Sequence, residues 1–182
     1  MLRGKIVNLR IIEQDDFDIY TEWINSIEIM GKYLFGTQRS LQETMEQYGT
    51  RSREFGTFVI EKKDGTRIGI LHFFDSKFGG YAKSKEVGFF LIPEERGNGF
   101  CTEAVGLVLD YLFLIHPLER IQAVCATTNI ASRRVLEKSG FRQEGTLRRL
   151  AFFSGKHMDI SIFSIIREEW SGPNLLGFDH KR

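Results

Sequence analysis

The chain has almost no net charge. Twenty-five lysines and arginines face twenty-four aspartates and glutamates, a formal balance of +1. No global field would draw it onto nucleic acid or a membrane surface, so any anionic ligand must be held by a local site. Cysteine is scarce. Cys101 and Cys125 form no CxxC pair, and His72, His116, His157 and His180 are scattered, so no metal-ligand spacing is present. The two thiols are read as small, semi-buried residues in a reducing compartment. No apolar run is long enough to cross a bilayer, and the opening MLRGKIVNLRII lacks the apolar region of a signal peptide. A cytoplasmic protein is expected, with no metal, no nucleic-acid partner and no membrane partner. No internal repeat or low-complexity linker divides the chain.

What is present suits one folded unit of 182 residues. Hydrophobic residues make up 42% and include sixteen phenylalanines, enough for a substantial core. Lys5 to Ile12 alternates as a strand. Asp15 to Ile27 places Phe17, Tyr20, Trp23, Ile24 and Ile27 at spacings of three and four, an amphipathic helix. Leu41 to Arg53 predicts a weaker helix, and Ser26 to Ser40 shows no clear period. Thr57 to Glu61 and Arg67 to Phe74 flank Lys63-Asp64-Gly65, a hairpin signal. Phe78 to Ser84, with Gly79-Gly80, reads as a loop, and Glu86 to Ile92 as a strand ended by Pro93. Thr102 to Ile115 is apolar nearly all round, hence a helix buried on more than one side. Arg120 to Ala126 predicts a strand, and Ala131 to Lys138 a helix closed by Ser139-Gly140. Phe141 to Phe153 and Met158 to Arg167 form a long hairpin about Ser154-Gly155-Lys156. The order predicts an α/β or α+β fold, a mixed sheet with helices on its faces. Residues 1–170 are expected to form one domain, with a polar, loose tail over 171–182.

Two stretches carry chemistry. Ile92 to Ala104 runs from a strand end through Gly97 and Gly99 into the buried helix. A helix N-terminus offers unpaired N–H groups and partial positive charge, and glycine lets backbone approach a ligand closely. A pyrophosphate is the natural guest. Neither GK[ST] nor GxGxxG is present, which argues against a P-loop or a dinucleotide fold; two glycines before a helix are also an ordinary turn. In Thr128 to Phe141, Asn129 can cap the helix, with Ser132 in its first turn. Alternatively the two also aim polar groups at a ligand lying between neighbouring strands.

The early Trp23-Ile-Asn segment is followed by Glu86-Val-Gly-Phe-Phe-Leu-Ile-Pro93 and Arg96-Gly-Asn-Gly-Phe-Cys-Thr-Glu-Ala104. Then come Arg120-Ile, Asn129 to Phe141, Glu144-Gly145 and Ser164-Ile-Ile-Arg-Glu-Glu-Trp170. In this order and spacing they resemble the GNAT acetyltransferase superfamily, and within it the ribosomal-protein N-terminal acetyltransferases of the RimJ and RimL type. The resemblance covers roughly residues 3 to 170. It implies a GNAT-like mixed, mostly antiparallel sheet of about seven strands with helices on both faces. It also implies a splay between the fourth and fifth strands, those of Glu86 and Arg120. Acetyl-CoA is the implied co-substrate, without metal. Main-chain N–H groups over Arg96, Gly97, Asn98, Gly99, Phe100, Cys101 and Thr102 would bind its pyrophosphate. Phe89, Leu91, Asn129, Ser132 and Arg134 would complete the cofactor site, with the pantetheine arm in the splay. Cys101 replaces the usual Gly or Ala, and its pKa at a helix N-terminus is expected to fall. Many family members carry an acidic tyrosine four residues before the Gly of the Gly-Phe pair; Leu136 stands there. Ser132 matches the serine that takes this role in the RimL-like branch.

The implied reaction is attack of a neutral primary amine on the thioester. An α-amine has a pKa of roughly 8, against ~10.4 for lysine, so freeing the α-amine at neutral pH costs about 1 kcal/mol. A weak base relaying through water suffices. Glu86 is the candidate base, or else a solvated strand-end charge; a backbone N–H on the same strand would hold the oxyanion. Tyr33, Phe35, Phe74 and Phe153 would shape an acceptor pocket between the first two helices and the final hairpin, or belong to the core. Arg148 and Arg149 would meet an acidic acceptor or stay solvated. Asp15, Asp16 and Asp18 read as helix N-terminal charges rather than a polycation site. The expected partners are acetyl-CoA and an amine acceptor, first a protein or peptide N-terminus, second a small amine (polyamine, amino sugar or antibiotic), in a monomer or homodimer. The rival from another class is a non-catalytic acyl-CoA sensor.

Overall fold

Alternating apolar side chains along successive segments build one eight-stranded sheet, ordered β1-β2-β3-β4-β5-β6-β8-β7. The strands are β1 (Leu2–Arg3), β2 (Val7–Ile11), β3 (Phe55–Lys62), β4 (Arg67–Asp75), β5 (Ser84–Leu91), β6 (Arg120–Ala126), β7 (Arg142–Phe153) and β8 (Lys156–Ile166). This computed structural model describes residues 1–33, 38–49, 52, 54–76 and 84–173. Every neighbouring pair is antiparallel except β5–β6. A parallel pair needs a crossover connection, and α4 (Phe100–Ile115) supplies it.

Helices cover both faces. α4 and α5 (Ile130–Lys138) bury Leu107, Val108, Leu112 and Leu136 against Leu71, Phe73, Val87, Leu91 and Ile121. On the opposite face α1 (Phe17–Asn25) sets Phe17, Tyr20, Trp23 and Ile24 against Val59, Ile70 and Phe90. α2 (Ile27–Met30) and α3 (Leu41–Tyr48) join this side through Ile29, Met30, Met45 and Tyr48. No helix among the described residues is long and apolar enough to cross a membrane.

The mixed, mostly antiparallel sheet matches expectation, with one strand more. β1 is two residues long, too short to show a period, and a bend leads from it into β2. The helix predicted over Asp15 to Ile27 is broken at Ser26, which is extended (φ −86°, ψ 120°) and whose hydroxyl accepts the Ile29 N–H. α3 stops at Tyr48 rather than Arg53, with Gly49 as its cap. α4 starts two residues before Thr102 because Gly99 takes the left-handed cap conformation, and α5 starts at Ile130, on the Asn129 cap. Ser84 belongs to β5 rather than to the preceding loop. The rest of that loop, Phe35 and the tail beyond Pro173 lie outside the described residues.

Asp16 does more than charge a helix end. Its carboxylate is 1% exposed. It accepts from Arg10 Nη1 and Nη2 at 2.8 and 2.9 Å, from the Glu13 N–H at 2.7 Å, and pairs with Arg67 Nε at 3.0 Å. Burial opposes its ionisation, but the hydrogen bonds from Arg10 and Glu13, with the charges of Arg10 and Arg67, hold the carboxyl below the usual carboxylate range. Its contribution is therefore complete above the unfolded value of ~3.9 and is lost as pH falls through the lower folded value. Asp16→Asn is expected to cost about 3 kcal/mol at neutral pH and to flatten this acid limb, as read by urea unfolding across the acid range.

Glu103, in the first turn of α4, accepts three backbone N–H groups: Lys5 at 2.7 Å, Ile6 at 2.7 Å and Val7 at 2.8 Å. One carboxylate so ties the β1–β2 bend to the helix. Glu103→Ala is expected to lower stability by about 2 kcal/mol and to remove amide-exchange protection from Lys5 to Val7.

Candidate functional site

β5 and β6 pair over three positions only: Ser84 with Arg120, Lys85 with Ile121, and Glu86 with Gln122. Beyond them the strands part, although β5 runs on to Leu91 and β6 to Ala126. Each is held from its other side, β5 by β4 as far as Gly69–Leu91 and β6 by β8 along its whole length. The inner edges of both strands thus face a gap that no strand fills. It falls between the strands of Glu86 and Arg120, where the splay was expected.

At the wide end of the gap, the turn Pro93–Glu95 leads into Gly97 (φ 85°) and Gly99 (φ 82°), both left-handed. Gly99 caps α4 without a side-chain hydrogen bond. Gly97, Asn98 and Gly99 are exposed, and a Cβ on Gly97 would meet only open space. Among the described residues no side chain caps the N–H groups of the first turn, which carry the positive end of the helix dipole. Glu103, the one acid of that turn, is already saturated by the β1–β2 bend.

The Arg96 side chain holds two carbonyls: Nε donates to the Leu91 carbonyl at 3.0 Å and Nη2 to the Ile29 carbonyl at 2.6 Å. One residue of the loop departs from expectation. The thiol of Cys101 does not acidify. Burial pushes it up to about 12, against the charge of Arg96, because the side chain packs on the core with Phe100. Desolvation outweighs the helix end. Thr102 is half-buried in the same turn.

The far wall is β6 and the start of α5. Asn129 Oδ1 accepts the Ser132 N–H at 3.1 Å, a true helix cap. The Ser132 hydroxyl contacts the Cys125 thiol, which burial pushes up to about 11 against that contact. Arg134 is exposed and makes no bond among the described residues. Leu136 is fully buried in the core. On the near wall, Phe89 is half-buried and Leu91 is buried, both packed toward the α4 face.

Alternation places Glu86, Gly88 and Phe90 on the opposite face, with α1 to α3. Glu86 Oε2 accepts from Gln122 Nε2 at 2.8 Å, and Gln122 is 1% exposed. This bond spans the apex of the gap. His72 lies across from Gly88, and Phe74 across from Glu86. The segment Ile27–Tyr33 bridges the gap on this face like a strap. Ile29 and Met30 pack with Phe90 on the β5 side, and Arg96 ties the Ile29 carbonyl there. Tyr33 packs with Ala126, Phe153 and Ile160 on the β6 side, and its hydroxyl donates to the Thr128 carbonyl at 2.9 Å. In the hairpin, Arg149 is left-handed (φ 53°) at a bulge and its N–H donates to Asp159 Oδ1 at 2.8 Å. The side chains of Arg148 and Arg149 bond to nothing among the described residues and are exposed. Gln122, His72 and the two ties of the strap carry no motif. Only the cross-strand register brings them to the gap.

A family model described as an acetyltransferase (GNAT) domain matches residues 7–142. The chain is 42% identical to the uncharacterized N-acetyltransferase YoaA of Bacillus subtilis (strain 168) over 173 residues, 90% of this chain and 94% of that one. Among solved structures, Mycobacterium smegmatis RimJ in complex with CoA-disulfide superposes with a TM-score of 0.80 at 24% identity, over 92% of this chain and 87% of that one. Vibrio cholerae spermidine N-acetyltransferase in complex with CoA and spermine gives a TM-score of 0.76 at 24% identity, over 90% and 96%. At these identities the two structures show a shared fold.

Two side-chain hydrogen bonds add to the packing that holds the strap, one on each side of the gap. Arg96→Ala and Tyr33→Phe are each expected to raise amide exchange across Ile27–Tyr33 by about tenfold, the worth of one such bond. The β4 and β8 amides should keep their native rates.

Proposed function

Because the chain belongs to the acetyltransferase (GNAT) family, we propose that this acyltransferase moves the acetyl group of acetyl-CoA to a protein or peptide N-terminal α-amine. The observation that carries the reading is the gap between β5 and β6 opening beside an uncapped, glycine-led helix N-terminus. A gap between parted strands that ends at a helix N-terminus suits a long, flexible ligand with an anionic group at one end. Main-chain N–H groups from Gly97 to Thr102 would hold the pyrophosphate, with Arg96 supporting the loop through the Leu91 carbonyl. The inner edge of β5 at Phe89 and Leu91 would line one side of the pantetheine arm, and Asn129, Ser132 and Arg134 the other. The thioester supplies an activated acetyl group. Glu86, oriented by Gln122, takes the amine proton through water, and the Ser132 hydroxyl offers a hydrogen bond to the departing sulfur. A thiol of pKa ~8.5 needs little more.

Charge favours a peptide over a polycation. Glu144 is already engaged by Ser164 at 2.6 Å and Arg120 at 2.8 Å, and Glu86 by Gln122. Arg148 and Arg149, exposed in the hairpin beside the strap, pair with no acid among the described residues. The small-amine reading draws on the likeness to spermidine N(1)-acetyltransferase of Vibrio cholerae, 25% identical over 166 residues. The balance of charge and the lack of a bilayer-spanning helix among the described residues suit work in the cytoplasm.

With acetyl-CoA supplied, a mass-spectrometric screen of peptides, polyamines and amino sugars is expected to return acetylated peptide α-amines. Products confined to polyamines would overturn the acceptor, and CoA binding without thioester turnover would point to a sensor. Glu86→Gln should lower kcat/KM by about 100-fold and remove the acid limb of its pH profile; an unaltered profile takes Glu86 out of the reaction.

A further inference from the structure

Facing the gap is a histidine that no part of the proposed reaction uses. His72 sits on β4 directly across from Gly88 of β5. Its Nε2 occupies the place where a side chain at position 88 would begin, so any Cβ there would overlap it. Gly88 is two residues past the last β5–β6 pair, on the rim of the gap. The imidazole therefore leans over the strand at the rim, on the same face as Glu86 and the strap. A ligand entering at Gly97–Thr102 and lying along β5 has its far end at Gly88 and Glu86, where the gap closes, three to five residues or roughly 10–17 Å along the strand from Leu91 at ~3.3 Å per residue.

The other ring nitrogen is orphaned. Among the described residues Nδ1 is buried without a hydrogen-bond partner, and so is the hydroxyl of Thr57, which lies across from His72 on β3. Side chains so opposed have Cβ atoms about 5 Å apart. An Nδ1–H donated to Thr57 Oγ1 would satisfy both orphans and leave Nε2 as a lone-pair acceptor at the rim. The aromatic rings of Tyr48 at 6.4 Å and Phe74 at 5.7 Å flank the imidazole. Burial pushes its pKa down to about 4. Ionisable groups about the ring include Glu86 of β5, Tyr48 of α3 with Arg39 bonded to its hydroxyl, and Tyr20 of α1 beneath Tyr48; farther along the same face Arg10 pairs with Asp16 and Glu61. The ring is neutral across the neutral range, so it accepts hydrogen bonds without repelling an ammonium.

We propose that His72 holds the acceptor amine at the acetyl group, its Nε2 accepting a hydrogen bond from the amine nitrogen while Glu86 takes the proton. The proposal rests on reading the gap as the acetyl-CoA site. As the N–C bond forms and the C–S bond breaks, the ammonium proton passes to the Glu86 carboxylate through water. The thiolate leaves as CoA, and His72 is neutral before and after. The role also explains why position 88 is glycine: any larger residue would displace the ring from the rim.

The test needs no natural acceptor. The probe is CoA whose sulfur is joined through an acetyl unit to the α-nitrogen of glycinamide, titrated calorimetrically into the full chain beside CoA itself. His72→Phe keeps the ring packing and loses the acceptor atom. It is expected to bind CoA as the native chain does and the conjugate about tenfold more weakly. His72→Gln, whose side-chain oxygen can accept the same bond, should recover part of that loss. In the native chain the Nε2 resonance, assigned by its absence in His72→Gln, should move with the conjugate and stay with CoA. An unchanged ratio of conjugate to CoA affinity in His72→Phe, or an Nε2 resonance indifferent to the conjugate, overturns the role of His72. A native chain that binds neither compound overturns the reading of the gap itself, an outcome distinguished by the CoA titration alone.

Discussion

Everything at this site depends on a parallel pairing that stops after three residues. β5 and β6 meet at Ser84 to Glu86 and then diverge, and neither can turn back to close the gap. β5 is committed to β4 through seven consecutive pairs, and β6 to β8 through seven. Ladder hydrogen bonds on the outer edges fix the direction of each strand. The twist between them then accumulates at the one seam where the chain crosses over through α4. Backbone groups on the two inner edges are left in a cleft roofed by the strap, and such groups require partners. A ligand with amide groups along its length meets that requirement.

The seam also separates two kinds of chemistry. Along the α4 face lie the positive end of a helix dipole and a wall of aliphatic side chains. Along the α1 face lie the polar side chains Glu86, Gln122 and His72 among aromatic rings. The alternation of β5 sends Val87, Phe89 and Leu91 to one side and Glu86, Gly88 and Phe90 to the other. A single strand thereby presents an aliphatic side and a polar, aromatic side to one cleft.

Local features of the fold were legible before the structure. Asp64-Gly65 marked a hairpin that forms with Gly65 left-handed, and Gly97, Gly99 and Asn129 marked two helix starts, because turns and caps are decided by neighbours in sequence. What escaped was tertiary. The break at Ser26 interrupts a run of good helical spacing, and the two-residue β1 has no period to detect. Cys101 was expected to acidify at a helix end. Its burial against the core, invisible in sequence, reverses the sign. Asp16 looked like an exposed helix charge until Arg10 and Arg67 arrived from two other strands. Arg96 read as part of a ligand loop through its main chain, and that its side chain also holds two carbonyls of the protein had no sign in the sequence. Gln122 and His72 stand at the seam only because of a register that no local pattern encodes.

The carboxylate of Glu103 has a consequence in time as well as space. Its three hydrogen bonds reach back across 96 to 98 residues of chain, so they form only after a long loop has closed, at an entropic cost that local contacts do not carry. Until they form, an unshielded negative charge sits in the first turn of α4. The first turn of α4 is complete only when the start of the chain comes home to it, so the helix end and the β1–β2 bend mature together.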